Sequence, residues 1–333
     1  MLITAEADIQ MSQEEFTMIR DFIHERSGIY FAESKMYLIK NRLSKRMSEL
    51  DIKTVRDYFY HVKYDVSQKE FNRLMDLITT NETSFYRNEP QLLSFSEEVL
   101  PLIIKEKQAS PEQKSIRIWS AGCSTGEEPY TLAMIILSKL MTTAGWNIEI
   151  IANDISEEVL QKARQGEYQG ITLRNVRPDL LARYFTKSGE IYRVKPEVKS
   201  FVKFSHMNLN DPRKISLVGN FDVIFCRNVM IYFSDQVKKE LVRRFFNTLK
   251  PGGYFYIGHS ETLHGISKAF KLVYFKNALV YQKEAVSGPA PAASTTATAT
   301  RTTIPLKGAG AANQGVNRAL DLLKQIKPMT VKK

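Results

Sequence analysis

The 333-residue chain is 43% hydrophobic and 25% charged, with a net charge of +11; this suits about two domains of an ordinary globular protein and excludes a disordered or fibrous one. Its longest apolar run, Leu132–Leu137, falls far short of the ~20 residues of a membrane span. The N-terminus lacks the basic-then-apolar pattern of a signal peptide, so the expected location is cytoplasmic, without direct membrane insertion.

Only two cysteines are present, Cys123 and Cys226, too few for a disulfide framework or a cysteine-based zinc site. Charge divides unevenly: −2 over residues 1–86, +7 over 87–284 and +6 over 285–333. The mildly basic body fits an acidic partner. No interleaving of basic and aromatic residues marks a nucleic-acid platform.

Residues 1–86 are expected to form a helical domain. Ser12 and Glu15 have the spacing of a capping box, Phe16, Ile19 and Ile23 line one face, and Gly28 ends that helix. A second helix is expected from Ser34, with Ile39, Leu43, Met47 and Leu50 on one side and a basic stripe of Lys35, Arg42, Lys45 and Arg46 on another. Two readings of that stripe are open, a solvated face or a docking surface for an acidic protein. Helices over 54–61 and 67–80 complete the bundle, the latter with Ser67 and Glu70 as a second capping box.

The stretch Asn81–Arg87 is too polar for core and too aromatic for a linker. It is expected either to join two domains or to close over a ligand as a lid. A catalytic domain of α/β class is expected over 87–284.

At its heart, Ile116, Ile118 and Trp119 suit a buried strand, Gly122 to Gly126 a turn, and Tyr130 through Leu140 a helix. The spacing is G-x-x-x-G, not the G-x-G-x-x-G of dinucleotide folds, and Glu127 and Glu128 oppose a pyrophosphate. Carboxylates there suit an ammonium group, such as the methionine end of S-adenosylmethionine. Asp154, ending the next strand, suits ribose hydroxyls.

Beyond it, a helix over 156–165 leads to an insert over about 166–201 with a hairpin around Gly189. Strands follow at 202–207 and 221–226, a helix at 235–249, a strand at 254–258 and an antiparallel pair at 272–276 and 278–282. Strand ends thus carry Gly122, Asp154, Asn208, Asn228 and Gly258-His259-Ser260. An Ala/Thr/Pro linker is expected over 285–312 and a short helix within 313–333.

Three stretches now carry a resemblance: Asn81–Arg87, Trp119–Tyr130 and Cys226-Arg227-Asn228-Val229-Met230-Ile231-Tyr232-Phe233, extended by Gly258-His259-Ser260-Glu261. Together they resemble the chemotaxis receptor glutamate methyltransferases of the CheR type, over about 12–284. The resemblance implies an all-α N-terminal domain, a Rossmann-like S-adenosylmethionine domain with a small antiparallel β-subdomain inserted at 166–201, and methyl transfer to glutamates of methyl-accepting receptors, with S-adenosylhomocysteine as product and no metal. It also implies cofactor contacts from Asn81, Thr83, Arg87, Gly122, Glu128, Asp154, Asn208, Leu209, Arg227 and Asn228. Arg87 and Tyr232 are then the pair nearest the transferred methyl. The choice between Glu127 and Glu128 for the cofactor's amino group stays open, as do two other functions: a nucleic-acid or small-molecule methyltransferase, and a cofactor-sensing module without turnover.

Overall fold

The computed structural model describes residues 9–109, 114–140 and 142–285, so the expected linker from Val286 onward and the expected helix within 313–333 lie outside the described residues. Four helices come first: α1 (Gln13–Ser27), α2 (Met36–Glu49), α3 (Val55–Tyr64) and α4 (Lys69–Ile78). The first begins with the expected capping box, Ser12 and Glu15 each accepting the other's backbone N–H, and ends at Gly28 in the left-handed region.

The second capping box does not form. Gln68, not Ser67, precedes α4, and the Asp65 carboxylate accepts the N–H groups of Ser67 and Glu70 instead. Glu70 is drawn away from the helix start because Arg46 binds its carboxylate through two bonds of 2.9 and 2.7 Å, and Tyr58 donates a third at 3.0 Å. A bidentate charge-assisted pair outweighs one neutral bond to a backbone N–H.

A long helix follows as α5 (Glu89–Ser94), a π turn over Phe95–Val99, and α6 (Leu100–Gln108). The α/β part then runs β1 (Ser115–Ala121), α7 (Glu127–Lys139), β2 (Asn147–Asp154), α8 (Glu157–Gln165), β3 (Glu167–Tyr168), α9 (Pro178–Tyr184), β4 (Phe185–Ser188), β5 (Ile191–Val194), α10 (Pro196–Lys199) and β6 (Val202–His206). It closes with α11 (Pro212–Leu217), β7 (Phe221–Cys226), α12 (Asp235–Thr248), β8 (Leu249–Ile257), β9 (Lys271–Tyr274) and β10 (Leu279–Gln282).

Seven strands form one sheet in the order β6-β2-β1-β7-β8-β10-β9. The first five are parallel, and β10 pairs antiparallel with both β8 and β9. Every residue of β7 is buried, as a strand covered on both faces requires. The insert makes a separate three-stranded sheet, β3-β5-β4, whose hairpin turns at Gly189 with Ser188 opposite Ile191.

Because the chain builds outward from β1 to β2 and β6, then crosses back to β7 and β8, the order reverses between β1 and β7. The crevice beyond their carboxyl ends is where an open α/β sheet takes its ligand. One face of the sheet, with Trp119, Ile224 and Phe255 packed with Phe245 of α12, shares a continuous apolar interior with the four-helix bundle through Met207, Leu209, Met230 and Phe233. The other, with Ile118, Phe225 and Tyr256, packs on α5, α6 and α7. The helical segment is therefore anchored to the sheet, directly beside the crevice.

Candidate active site

A cavity lies beyond the ends of β1, β2 and β7. All eleven residues expected at the site line it: Gly122, Glu128 and Asp154 on the strand-end wall; Asn208, Leu209, Arg227, Asn228 and Tyr232 from the following strand ends; Asn81, Thr83 and Arg87 across from them. His259 and Ser260 are instead exposed, and neither they nor Gly258 reach the cavity.

The strand-end wall is built by backbone geometry. The N–H groups of Gly122 and Cys123 both bond the Asn153 carbonyl, at 2.8 and 2.9 Å, folding the chain sharply over the end of β2. Gly122 has φ +80°, and a Cβ there would overlap the Val229 side chain, so the position admits only glycine without rearrangement. Trp119 Nε1 donates to Asn153 Oδ1 at 2.7 Å, and Asn153 Nδ2 donates to the Ser205 carbonyl at 3.1 Å, locking β1, β2 and β6 in register at the cavity floor.

Of the two adjacent carboxylates, Glu128 faces the cavity and Glu127 does not. Successive helical residues point ~100° apart, so only one of the pair can face it. Glu127 is buried, takes a 2.7 Å bond from the Thr125 hydroxyl and has its pKa raised by desolvation. Glu128 accepts from the Ser120 hydroxyl at 2.7 Å and pairs with Arg227 at 3.3 Å. Asp154 accepts backbone N–H groups of Ser124 at 2.8 Å and Ser156 at 3.0 Å; burial pushes its pKa up while these bonds pull it down.

Residues 79–87 are held by scattered bonds outside any ladder, among them Phe85 N–H to the Thr172 carbonyl at 3.0 Å and Tyr86 N–H to the Thr131 hydroxyl at 3.3 Å. Ser124 Oγ donates to the Asn81 carbonyl at 3.0 Å, and Arg227 Nη2 to the Arg87 carbonyl at 2.6 Å. Phe85 is fully buried against Tyr168 and Phe185, so this stretch is less polar in function than in composition: one aromatic nails it to the insert. Arg87 donates to the Glu82 carbonyl at 2.7 Å, curling the loop on itself.

Arg227 links both walls. It is nearly buried, and its Nε has no hydrogen-bond partner although the atom is fully enclosed. Burial lowers its pKa from the ordinary value, opposed by Glu128. An orphaned donor beside a carboxylate, over a glycine turn, suits a polar ligand with both charge signs and hydrogen-bonding hydroxyls.

Asn208 contributes less than its residue type suggests. Its Nδ2 donates to the Arg26 carbonyl at 2.7 Å and its Oδ1 accepts from Asn210 N–H, tying the end of α1 to the sheet. Tyr232 sits on the 3₁₀ turn Met230–Tyr232; its carbonyl accepts from Tyr30 N–H at 2.9 Å, beside a bridge between Ile29 and Phe233. No hydrogen bond of its hydroxyl is found among the described residues.

The basic stripe of α2 is split by the fold. Arg42 donates to the Leu77 and Thr79 carbonyls at 2.9 and 3.1 Å, capping α4 where the chain enters the cavity wall, and Arg46 is committed to Glu70 and Glu49. Lys35 and Lys45 are exposed. Ser120, which orients Glu128, and Glu261, which bonds the 227–232 turn, were not singled out from sequence as individual contributors. Only tertiary contacts show their roles.

Among the described residues no helix is long and apolar enough to cross a membrane, and no group of three or more His, Cys, Asp or Glu is placed to hold a metal ion. Residues 81–279 match the family model of the CheR methyltransferase SAM-binding domain, and residues 14–79 that of the CheR methyltransferase all-alpha domain. The chain is 35% identical over 277 residues to chemotaxis protein methyltransferase 2 of Vibrio cholerae, covering 83% of this chain and 95% of that one. It is 36% identical to chemotaxis protein methyltransferase 1 of Pseudomonas aeruginosa, over 80% of this chain and 97% of that one. With the chemotaxis protein methyltransferase of Escherichia coli the identity is 34%, over 82% and 92%. The chain belongs to the CheR methyltransferase family, as an S-adenosylmethionine-dependent methyltransferase of chemotactic adaptation.

Proposed function

We propose that the cavity methylates glutamate side chains of chemoreceptors, and that its strand-end wall holds S-adenosylmethionine while Arg87 and Tyr232 receive the acceptor. The observation that carries this reading is the placement of charge: Glu128, Asp154 and Arg87 all line the same cavity. Glu128, the cavity-facing one of the two adjacent carboxylates, would hold the cofactor's ammonium group. Asp154 would accept from ribose hydroxyls, with Gly122 allowing close backbone approach. Asn81, Thr83, Leu209, Arg227 and Asn228 would complete the enclosure, Arg227 offering its unpaired Nε.

When bound, the cofactor supplies an electrophilic methyl group. The protein's task is positional. A glutamate side chain has an ordinary pKa of ~4.3 and is already a carboxylate at neutral pH, so no general base is required. Arg87 orients that carboxylate, and the Tyr232 hydroxyl shares the work; a modest grip is better than a tight one, since only interactions stronger in the transition state accelerate the step. Enclosure between residues 79–87 and the strand ends strips water from the nucleophile. Lys35, at the start of α2, and Lys45 on it are exposed and suit the acidic flank of a receptor helix.

The test is the bond the methyl enters. Incubation with methyl-labelled S-adenosylmethionine and receptor-containing membranes should give label that mild alkali releases as volatile methanol, traced to receptor glutamates. Alkali-stable label, or label confined to nucleic acid, would overturn the proposal.

A further inference from the structure

The motif Gly258-His259-Ser260-Glu261 leaves the cavity untouched, yet its last residue grips the turn that forms part of the cavity wall. Glu261 Oε2 accepts from Gly258 N–H at 2.6 Å and from Asn228 N–H at 2.9 Å, and Oε1 accepts from Ile231 N–H at 3.1 Å. One carboxylate thus satisfies three backbone donors, two of them three residues apart within the 227–232 turn that carries Asn228 and Tyr232 to the cavity.

That turn needs holding. Asn228 has φ +59°, a left-handed conformation that a non-glycine residue adopts at a cost, two residues past the end of β7. Charge-assisted bonds from N–H groups to a carboxylate are stronger than neutral ones and directional, so they select this backbone geometry over the alternatives. The far end of the turn is pinned from the other side by the Tyr30 N–H to Tyr232 carbonyl bond and the Ile29–Phe233 bridge. Gly258 makes the arrangement possible: a Cβ there would sit 2.6 Å from Glu261 Oε2 and 2.9 Å from Asn228 N.

We infer that Glu261 is a positioning residue for methyl transfer, setting through the 227–232 turn where Asn228 and Tyr232 stand in the cavity without itself touching either ligand. The inference rests on the roles proposed above for those two side chains. A displacement of about 1 Å in a positioned group can cost about a hundredfold in rate, so a small relaxation of this turn suffices.

The test compares Glu261→Gln, Tyr232→Ala and their double variant in the full chain. In Glu261→Gln the amide group turns a donor toward a donor, so hydrogen exchange at Gly258, Asn228 and Ile231 should rise while exchange elsewhere in the sheet stays as in wild type. Turnover should fall about ten- to a hundredfold and S-adenosylhomocysteine affinity by less, and the double variant should lose less turnover than the product of the two single losses. Gly258→Ala, which pushes the carboxylate aside without removing it, should reproduce these effects and replaces Glu261→Gln if that variant does not fold. A slow Glu261→Gln beside a Tyr232→Ala of wild-type turnover would sink the role given to Tyr232 and leave Glu261 acting through Asn228. Unchanged exchange at the three amides, wild-type turnover in both single variants, or equal additive losses of affinity and rate would overturn the inference.

Discussion

The two walls of the cavity are held in different ways. Gly122, Glu128 and Asp154 stand at the ends of buried parallel strands, placed by sheet register and by bonds such as those from Gly122 and Cys123 to Asn153. Residues 79–87 have no ladder. They depend on the Phe85 anchor, on the Phe85 and Tyr86 N–H groups bonding Thr172 and Thr131, on Ser124 and Arg227 bonding their carbonyls, and on Arg42 capping the helix before them. On the roles proposed above, the ladder-held strand ends carry Glu128 and Asp154 toward the cofactor, while Arg87 is placed by side-chain and loop contacts alone.

The largest effect expected on this contrast comes from Glu128→Ala. It removes the carboxylate proposed for the ammonium group and also the ion partner of nearly buried Arg227. Breaking such a pair typically costs about 3–5 kcal/mol, so thermal stability and cofactor affinity should fall together. Calorimetric binding at wild-type strength in this variant would show that the sheet wall does not recognise the cofactor through charge.

Arg87→Ala should act on the opposite wall alone. Its side chain bonds only a loop carbonyl, Glu82, among the described residues, so melting should change little while turnover drops about ten- to a hundredfold with a smaller change in cofactor affinity. Equal losses in the two would make it a cofactor clamp and blur the division between the walls.

The α2 surface sharpens the same contrast. Arg42→Ala uncaps the Leu77 and Thr79 carbonyls at the root of residues 79–87 and should cost about 1–3 kcal/mol, a charged hydrogen bond's contribution. Charge reversal at Lys35 and Lys45 should leave melting unchanged but slow methylation of receptor and flatten its salt dependence. Salt profiles superimposable on wild type would make α2 a solvated face.

Glu127→Gln should have the smallest effect, and its pH dependence gives the sign. Burial holds the Glu127 carboxyl above its ordinary pKa, so in wild type the ionised form costs stability as pH rises from the ordinary carboxyl range through the raised value. The variant keeps an acceptor for the Thr125 hydroxyl and has no charge to bury. The two proteins should melt alike in acid, and at neutral pH the variant should melt at the same temperature or higher. Lower stability of the variant at neutral pH, or loss of cofactor binding, would mean that Glu127 works as an ion.

Much of this arrangement was legible along the chain because it is local. Ser12 and Glu15 cap α1 through neighbours three residues apart, the alternating and continuous apolar runs mark β1, β2 and β7, and the hairpin at Gly189 needs only its flanking pairs. That Gly122 and Asp154 line the cavity was legible for the same reason: strand ends and tight turns are short-range features, and in a parallel sheet they converge at one edge.

What the residue order could not decide was competition between distant partners. Ser67 and Glu70 have the spacing of a capping box, but Arg46, far away in sequence, takes the carboxylate. Arg42 and Arg46 read as one stripe with Lys35 and Lys45, and only the packing of α4 against α2 turns two of the four inward. Helix phase relative to the sheet aims Glu128, not Glu127, at the cavity, and Glu261 matters only because β8 returns beside β7 and brings it under the 227–232 turn. Local propensity is written in neighbours a few residues apart; the side chain that wins a charged partner is chosen by the folded contacts, where burial makes each such choice worth several kilocalories.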